Sequence, residues 1–204
     1  MSLDLLDYRR QVFGHYREMR ESELDQAERA ARFRQRRDKL FREHPQSALD
    51  SVQKGRFSGL EYFDYDSAWR KLVELDFEVA DEEIEIALRE DGRFRMRPYA
   101  RAQFEHEGRD IDLTVYWISG YGGGLFLPFR DESGKTGETY PGTRYLIDTI
   151  KGADLGAQEG KLVLDFNYAY NPSCAYNPKW DCPLAPQENW LEISIPVGEK
   201  AFPP

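Results

Sequence analysis

Two cysteines, two arginines and a run of Asp, Asn and Tyr carry most of the reactive chemistry available to this 204-residue chain. Cys174 and Cys182 stand eight positions apart. Structural zinc sites pair cysteines roughly two to four residues apart, so a metal here needs an outside ligand such as His44. Cys174 is also the candidate nucleophile, because the thiolate is the attacking form of sulfur. The remaining alternatives are a disulfide between the two, or reduced, packed thiols that act as small hydrophobes. Arg130 and Arg144 flank a long hairpin loop, and two guanidiniums so presented clamp a carboxylate or phosphate. Alternatively they pair with Asp131 and Asp165 inside the fold, since a buried carboxylate demands a partner. Asp165 and Asn167 share one face of an apparent strand, with Tyr170 and Asn171 just beyond it. Gathered at one mouth, Asp165 acts as general base or arginine partner. Asn167, Tyr140, Tyr170 and Asn171 then supply hydrogen bonds and contact surface. The same Asp and Asn side chains also cap turns.

Several familiar signatures fail on inspection. Gly134-Lys135-Thr136 has the end of a phosphate loop, but the required earlier glycine is Phe129 and no βαβ pattern surrounds it. Gly122-Gly123-Gly124 precedes a strand rather than a helix, so it is no dinucleotide fingerprint. No Gly-x-Ser-x-Gly elbow occurs. His15 and His106 read as surface or packing residues, and no cofactor motif is present.

Charge narrows the partners. Lys plus Arg is 28 against 37 Asp plus Glu, a net of −9. Phosphate binding rests on a cationic face, so nucleic acid is not an expected partner. The first 43 residues are different, holding ten of the twenty arginines. They read either as a solvated helix or as a docking face for an acidic protein. The opening MSLDLLDYRR has no cationic leader before an apolar stretch, which argues against a secretory signal. No run approaches the ~20 apolar residues of a membrane span. With only two cysteines, the expected compartment is a reducing cytoplasm.

The elements that must position these groups change character along the chain. Leu5, Leu6, Val12, Phe13 and Tyr16 lie at helical spacing and predict a helix over 4–20. Ser22, with Asp25 three residues later, is the expected N-cap of a second helix. His44-Pro45 ends it, because the residue before proline is pushed out of the α region. After about residue 57 the period becomes two. Alternating stretches at 69–79, 84–89, 93–104 and 111–117 predict antiparallel strands, with turns at Asp91-Gly92 and Glu107-Gly108. Pro98 implies an edge or a bulge. Residues 125–129 are apolar on both faces. Further strands are expected at 60–65, 144–147, 162–167 and 191–195. The fold class is therefore α+β and mostly β. It is an antiparallel barrel or sandwich of about nine strands behind an N-terminal helical segment. The boundaries are 1–43 for the helices and 44–204 for the β domain, whose irregular 168–189 stretch has no period and four prolines. Long structureless segments in compact domains are commonly functional lids or Ω-loops.

Three stretches together carry a resemblance: His44-Pro45-Gln46-Ser47, then Leu125–Leu146, then Asp165–Lys200. Arg144-Tyr145-Leu146, Asp165-Phe166-Asn167 and the Cys174 to Cys182-Pro183 loop follow one another in the order seen in domain of unknown function 1684. The chain resembles this family of bacterial and archaeal proteins over nearly its whole length. It departs from the pattern at Pro141-Gly142-Thr143, where the family has a more glycine-rich turn. The resemblance implies no assigned activity. The residues themselves point first to a small polar or anionic ligand, bound with or without a reaction at a barrel end closed by the 168–189 loop. The alternatives are an interaction module using the Arg-rich helix, and a structural zinc site at His44, Cys174 and Cys182.

Overall fold

The computed structural model describes residues 3–89 and 92–203. Two helices come first, α1 (Asp4–Glu21) and α2 (Gln26–Glu43), followed by the short α3 (Ser51–Arg56). The N-cap of α2 is Asp25, whose carboxylate accepts from Glu28 N. Ser22 instead ends α1. Its hydroxyl serves Leu24 N in the connection, so the carboxylate nearer the helix takes the capping role. His44 closes α2 as expected.

Nine strands follow: β1 (Arg70–Val73), β2 (Leu75–Asp76), β3 (Ile84–Ala87), β4 (Arg93–His106), β5 (Arg109–Ile118), β6 (Gly124–Phe129), β7 (Arg144–Asp148), β8 (Ala157–Gln158) and β9 (Lys161–Asp165). A four-residue helix, α4 (Ser133–Thr136), interrupts the β6–β7 connection. All strand pairs are antiparallel. One sheet runs β1-β9-β8; the other runs β2-β4-β5-β6-β7, with β3 also on β4. Among the described residues no ladder joins the two sheets into a closed ring. The architecture is α+β, with the two N-terminal helices and mostly antiparallel sheets.

The tally of strands agrees with the sequence, but its members differ. The alternating 69–79 stretch leaves one sheet at Glu74 and joins the other, pairing first with β9 and then with β4. Residues 191–195 do not form a strand. Their first half runs beside Arg130–Glu132 through a single parallel bridge, Arg130 to Trp190, with Leu191 N donating to Arg130 O and Glu132 N to Ile193 O. Beyond it Asp131 accepts from Ile195 N, and Arg144 donates to the carbonyls of Ile195 and Val197. The 60–65 segment makes only a single bridge, Tyr62 to Glu199. The unanticipated β8 arises from a tight turn at Glu159-Gly160, both at positive φ. Glu107-Gly108 forms the turn between β4 and β5 with φ of 51° and 74°. Asp91 of the other expected turn lies outside the described residues.

A bulge between Pro98 and Ala100 controls the larger sheet. Before it, Phe94 and Met96 sit with Tyr116, Ile118, Phe126 and Tyr145 under the helices. After it, Ala102 and Phe104 sit with Ile111, Leu113 and Val115 on the opposite face, sharing a core with Val73 and Leu164 of the small sheet. One extra residue flips which face a given parity serves. The helix-facing layer is completed by Tyr16 and Met19 of α1 and Ala30 and Phe33 of α2. Both faces of β6 are thus buried, as its doubly apolar sequence requires.

Candidate functional site

A cleft of about 420 Å³ opens where three pieces of the fold meet. Small-molecule sites commonly occupy about 300–1,000 Å³. The sheet contributes Phe94, Ile118, Phe126 and Tyr145. Opposite them, α1 lays down Leu5, Tyr8, Arg9 and Val12. The 168–189 loop supplies Ser173, Trp180, Asp181, Cys182 and Pro183. The floor is apolar because the bulge in β4 and the parity of β5 turn Phe94 and Ile118 to this face. The rim is charged: Lys151 pairs with Asp148 at 2.7 Å, and its side chain is 46% exposed. Arg9 stands exposed on the facing helix.

The loop is pinned rather than trailing in solvent. Tyr145 OH donates to Pro183 O at 2.7 Å, and Trp180 Nε1 donates to Ala48 O at 3.1 Å. Gln53 Nε2 donates to Tyr176 O at 2.6 Å. Farther on, Asn189 exchanges bonds with both backbone groups of Thr114 and donates to Pro128 O. A 22-residue excursion without regular ladders satisfies its backbone in this way.

Beside the cleft lies a sulfur pair. Cys174 and Cys182 are free and half-buried. Cys174 N donates to Cys182 Sγ at 3.3 Å, and Tyr140 OH lies 3.7 Å from Cys174 Sγ. A hydrogen bond from the Cys182 thiol brings the Cys174 thiol down to about 7, against the opposing effect of burial and with help from Tyr140. The same contact, with burial, pushes Cys182 up. Burial and the neighbouring sulfur also push up the Tyr140 phenol. Cys174 is therefore the first of the three to ionise.

The other residues singled out in the sequence occupy separate neighbourhoods. Arg144 is fully buried, bonded to Asp131 Oδ1 at 2.9 Å and to the carbonyls of Ile195 and Val197. Burial pulls its guanidinium below the ordinary value, and the Asp131 carboxylate opposes that pull. Asp131 also accepts from Ser133 Oγ and Ile195 N. Arg130 instead lies over the Trp190 ring at 4.8 Å, in another cleft with Glu132 and Lys135.

Asp165 caps a single helical turn, accepting from Asn167 N and Nδ2. Burial raises its carboxyl despite those bonds. It faces a third cleft, beneath Arg29 and Arg70. Asn167 is committed to Asp66, accepting from its N–H and donating to its carbonyl. Asn171 donates to Glu199 and to Lys200 O. Glu199 binds Arg37 at 2.9 Å and also Tyr176 OH. Burial works against charge on Arg37, and Glu199 with the surrounding tyrosines outweighs it. Tyr170 pairs its backbone with Tyr145 and offers its ring to Arg37 at 5.1 Å.

The zinc arrangement needs correction. His44 Nε2 lies 3.1 Å from Asp7, and its Nδ1 accepts from Gln46 N. Both ring nitrogens are thus engaged with partners other than the two sulfurs. Among the described residues, no three His, Cys, Asp or Glu are grouped to hold a metal ion. The Arg-rich helix is also occupied. Arg32 and Arg36 both bind Glu18 of α1, Arg37 binds Glu199, and Arg34 lies over Tyr62 at 4.7 Å. Sequence reasoning missed the cleft's floor and rim: Phe94, Ile118, Phe126, Lys151 and Arg9. Exposed apolar Leu5 and the Trp180 to Pro183 run were the available signals.

A sequence model described as "Protein of unknown function (DUF1684)" matches residues 55–200. Among solved structures, the solution NMR structure of an uncharacterised protein from Haloarcula marismortui is similar, at 30% identity and a TM-score of 0.59. The match covers 83% of this chain and 91% of that one. No curated protein matches the chain. The family model starts beyond α1, although α1 forms one wall of the cleft. No helix among the described residues is long and apolar enough to cross a membrane.

Proposed function

We propose that this chain, which belongs to the DUF1684 family of proteins of unknown function, binds a small molecule with an apolar body and an anionic end. The supporting observation is the cleft between α1, the sheet and the 168–189 loop, with aromatic and aliphatic side chains below and Arg9 and Lys151 at the rim. Burying an apolar body there contributes about 25 cal/mol per Å². The cations select one charge and orient it. The ligand reading from the sequence is thereby sharpened from polar to amphipathic. It is also moved from Arg130, Arg144 and Asp165 to the cleft rim, because both terminal nitrogens of Arg144 are already engaged by Asp131 and the carbonyls of Ile195 and Val197. The residues 1–43 act with the β domain as one unit, since the wall is incomplete without α1. The cytoplasm suits the two free thiols.

Calorimetric titration with arylacetates and medium-chain carboxylates tests this reading. Ile118→Trp fills the floor and abolishes binding, while Arg9→Glu, on an exposed position, weakens it roughly tenfold, or about 1.4 kcal/mol. Binding unchanged in both variants, with circular dichroism confirming the fold, overturns the reading. So does a wild-type chain that binds no member of the panel.

A further inference from the structure

We propose that Cys174 and Cys182 form a redox pair in which the Cys174 thiolate reduces a small hydroperoxide and Cys182 resolves the product to an intramolecular disulfide. Three observations meet at this point. The cysteines are free, half-buried and brought together by the Cys174 N to Cys182 Sγ bond of 3.3 Å. The Tyr140 hydroxyl, 3.7 Å from Cys174 Sγ, stands where it can donate to an oxygen departing from sulfur. The loop that carries both sulfurs is pinned at Tyr145 and Ala48, so the pair is held in the folded chain. Ionisation of Cys174 before Cys182 supports the assignment of attacking and resolving roles. Half-burial beneath the loop favours an oxidant no larger than a hydroperoxide, which needs only one oxygen to reach sulfur. A protein disulfide must align two sulfurs with the thiolate.

The chemistry balances in two steps. Cys174 S⁻ attacks the terminal oxygen of ROOH; the S–O bond forms and the O–O bond breaks. RO⁻ leaves and takes a proton from water, giving ROH and a sulfenic acid on Cys174. The Cys182 sulfur then attacks the sulfenic sulfur. The S–S bond forms, the S–O bond breaks, and the departing hydroxide carries off the Cys182 proton as water. Two electrons have passed from the two thiols to the peroxide. An occupied ligand cleft is not required for either step.

The test is oxidation of the full chain by hydrogen peroxide, followed by intact mass and thiol titration. Wild type should lose both thiols together and two hydrogen atoms of mass, with dithiothreitol reversing the change. Cys182→Ser should stop at a sulfenic acid on Cys174 trapped by dimedone. Cys174→Ser should form no disulfide. At pH 6 the folded chain should react roughly five- to tenfold faster than the urea-unfolded chain, the gain in thiolate being partly offset by lower nucleophilicity. Its rate should rise with pH through a midpoint near about 7. Equal rates in folded and unfolded chains overturn the proposal. So does a disulfide that links two chains, or a Cys182→Ser chain that gives no dimedone adduct on Cys174. Because the readout is sulfur oxidation alone, failure here leaves carboxylate binding in the cleft standing.

Discussion

The Arg144–Asp131 centre and the Cys174–Cys182 corner draw on the same two stretches of chain, and they end in opposite conditions. Around Arg144, the terminal guanidinium nitrogens meet a carboxylate and two carbonyls, all buried. Asp131 in turn receives Ser133 and Ile195. Such a network takes over where the single Arg130–Trp190 bridge ends and ties the C-terminal segment to β7. Near the cysteines, sulfur contacts are longer, the groups are half-exposed, and a cleft adjoins them. A buried ion pair tied to two main-chain carbonyls makes structure, whereas half-exposed groups beside a cavity leave chemistry free to act on a guest.

Removing one member of each region is the strongest way to break this contrast. Arg144→Ala strands Asp131 in the core and should cost about 3–5 kcal/mol in urea unfolding. A loss below about 1 kcal/mol, the scale of exposed pairs, would make the centre dispensable. Acid provides the next separation, acting on the helical wall of the cleft. Burial, with Arg36 and Arg37 adding repulsion, brings His15 of α1 down to about 4. The unfolded imidazole titrates near about 6.5, so the folded state binds fewer protons below that value. Stability is complete above about pH 6.5 and falls as pH drops toward about 4, by up to roughly 3 kcal/mol. Unfolding curves of His15→Gln should lack this segment of the acid loss; an unchanged slope would remove His15 as its source. The smallest effect belongs to the sulfur corner. Cys174→Ser and Cys182→Ser should each shift stability by no more than about 1 kcal/mol, since half-exposed sites tolerate isosteric change. In the wild type, iodoacetamide should label Cys174 first, with a midpoint near about 7. Preferential labelling of Cys182 would reverse the order.

How much of this was legible in the residues follows from the range of each interaction. Helix ends and turns are local, so His44-Pro45 and Glu107-Gly108 were readable, and Pro98 announced its bulge. Residues 191–195 alternate like a strand, but the side chains that take its far end, Arg144 and Asp131, lie 51 and 64 positions away, and alternation carries no record of them. The site divided along the same line. Tyr140 and Cys174 were both picked out by type and do meet. Asp165 and Asn167 were also picked out, and their short polar side chains close their own turn. The cleft's floor consists of ordinary core residues, and only the register of β4 on β5 reveals that Phe94 and Ile118 border an opening.

Two-dimensional NMR of the wild-type chain, titrated with the carboxylate that binds best, tests the contrast most directly. The account expects shifts clustered at Phe94, Ile118, Phe126, Lys151 and Cys182, with the amides of Ile195 and Val197 beside Arg144 unmoved. Shifts centred on Arg144, or a spectrum unaltered by every carboxylate tried, would contradict it.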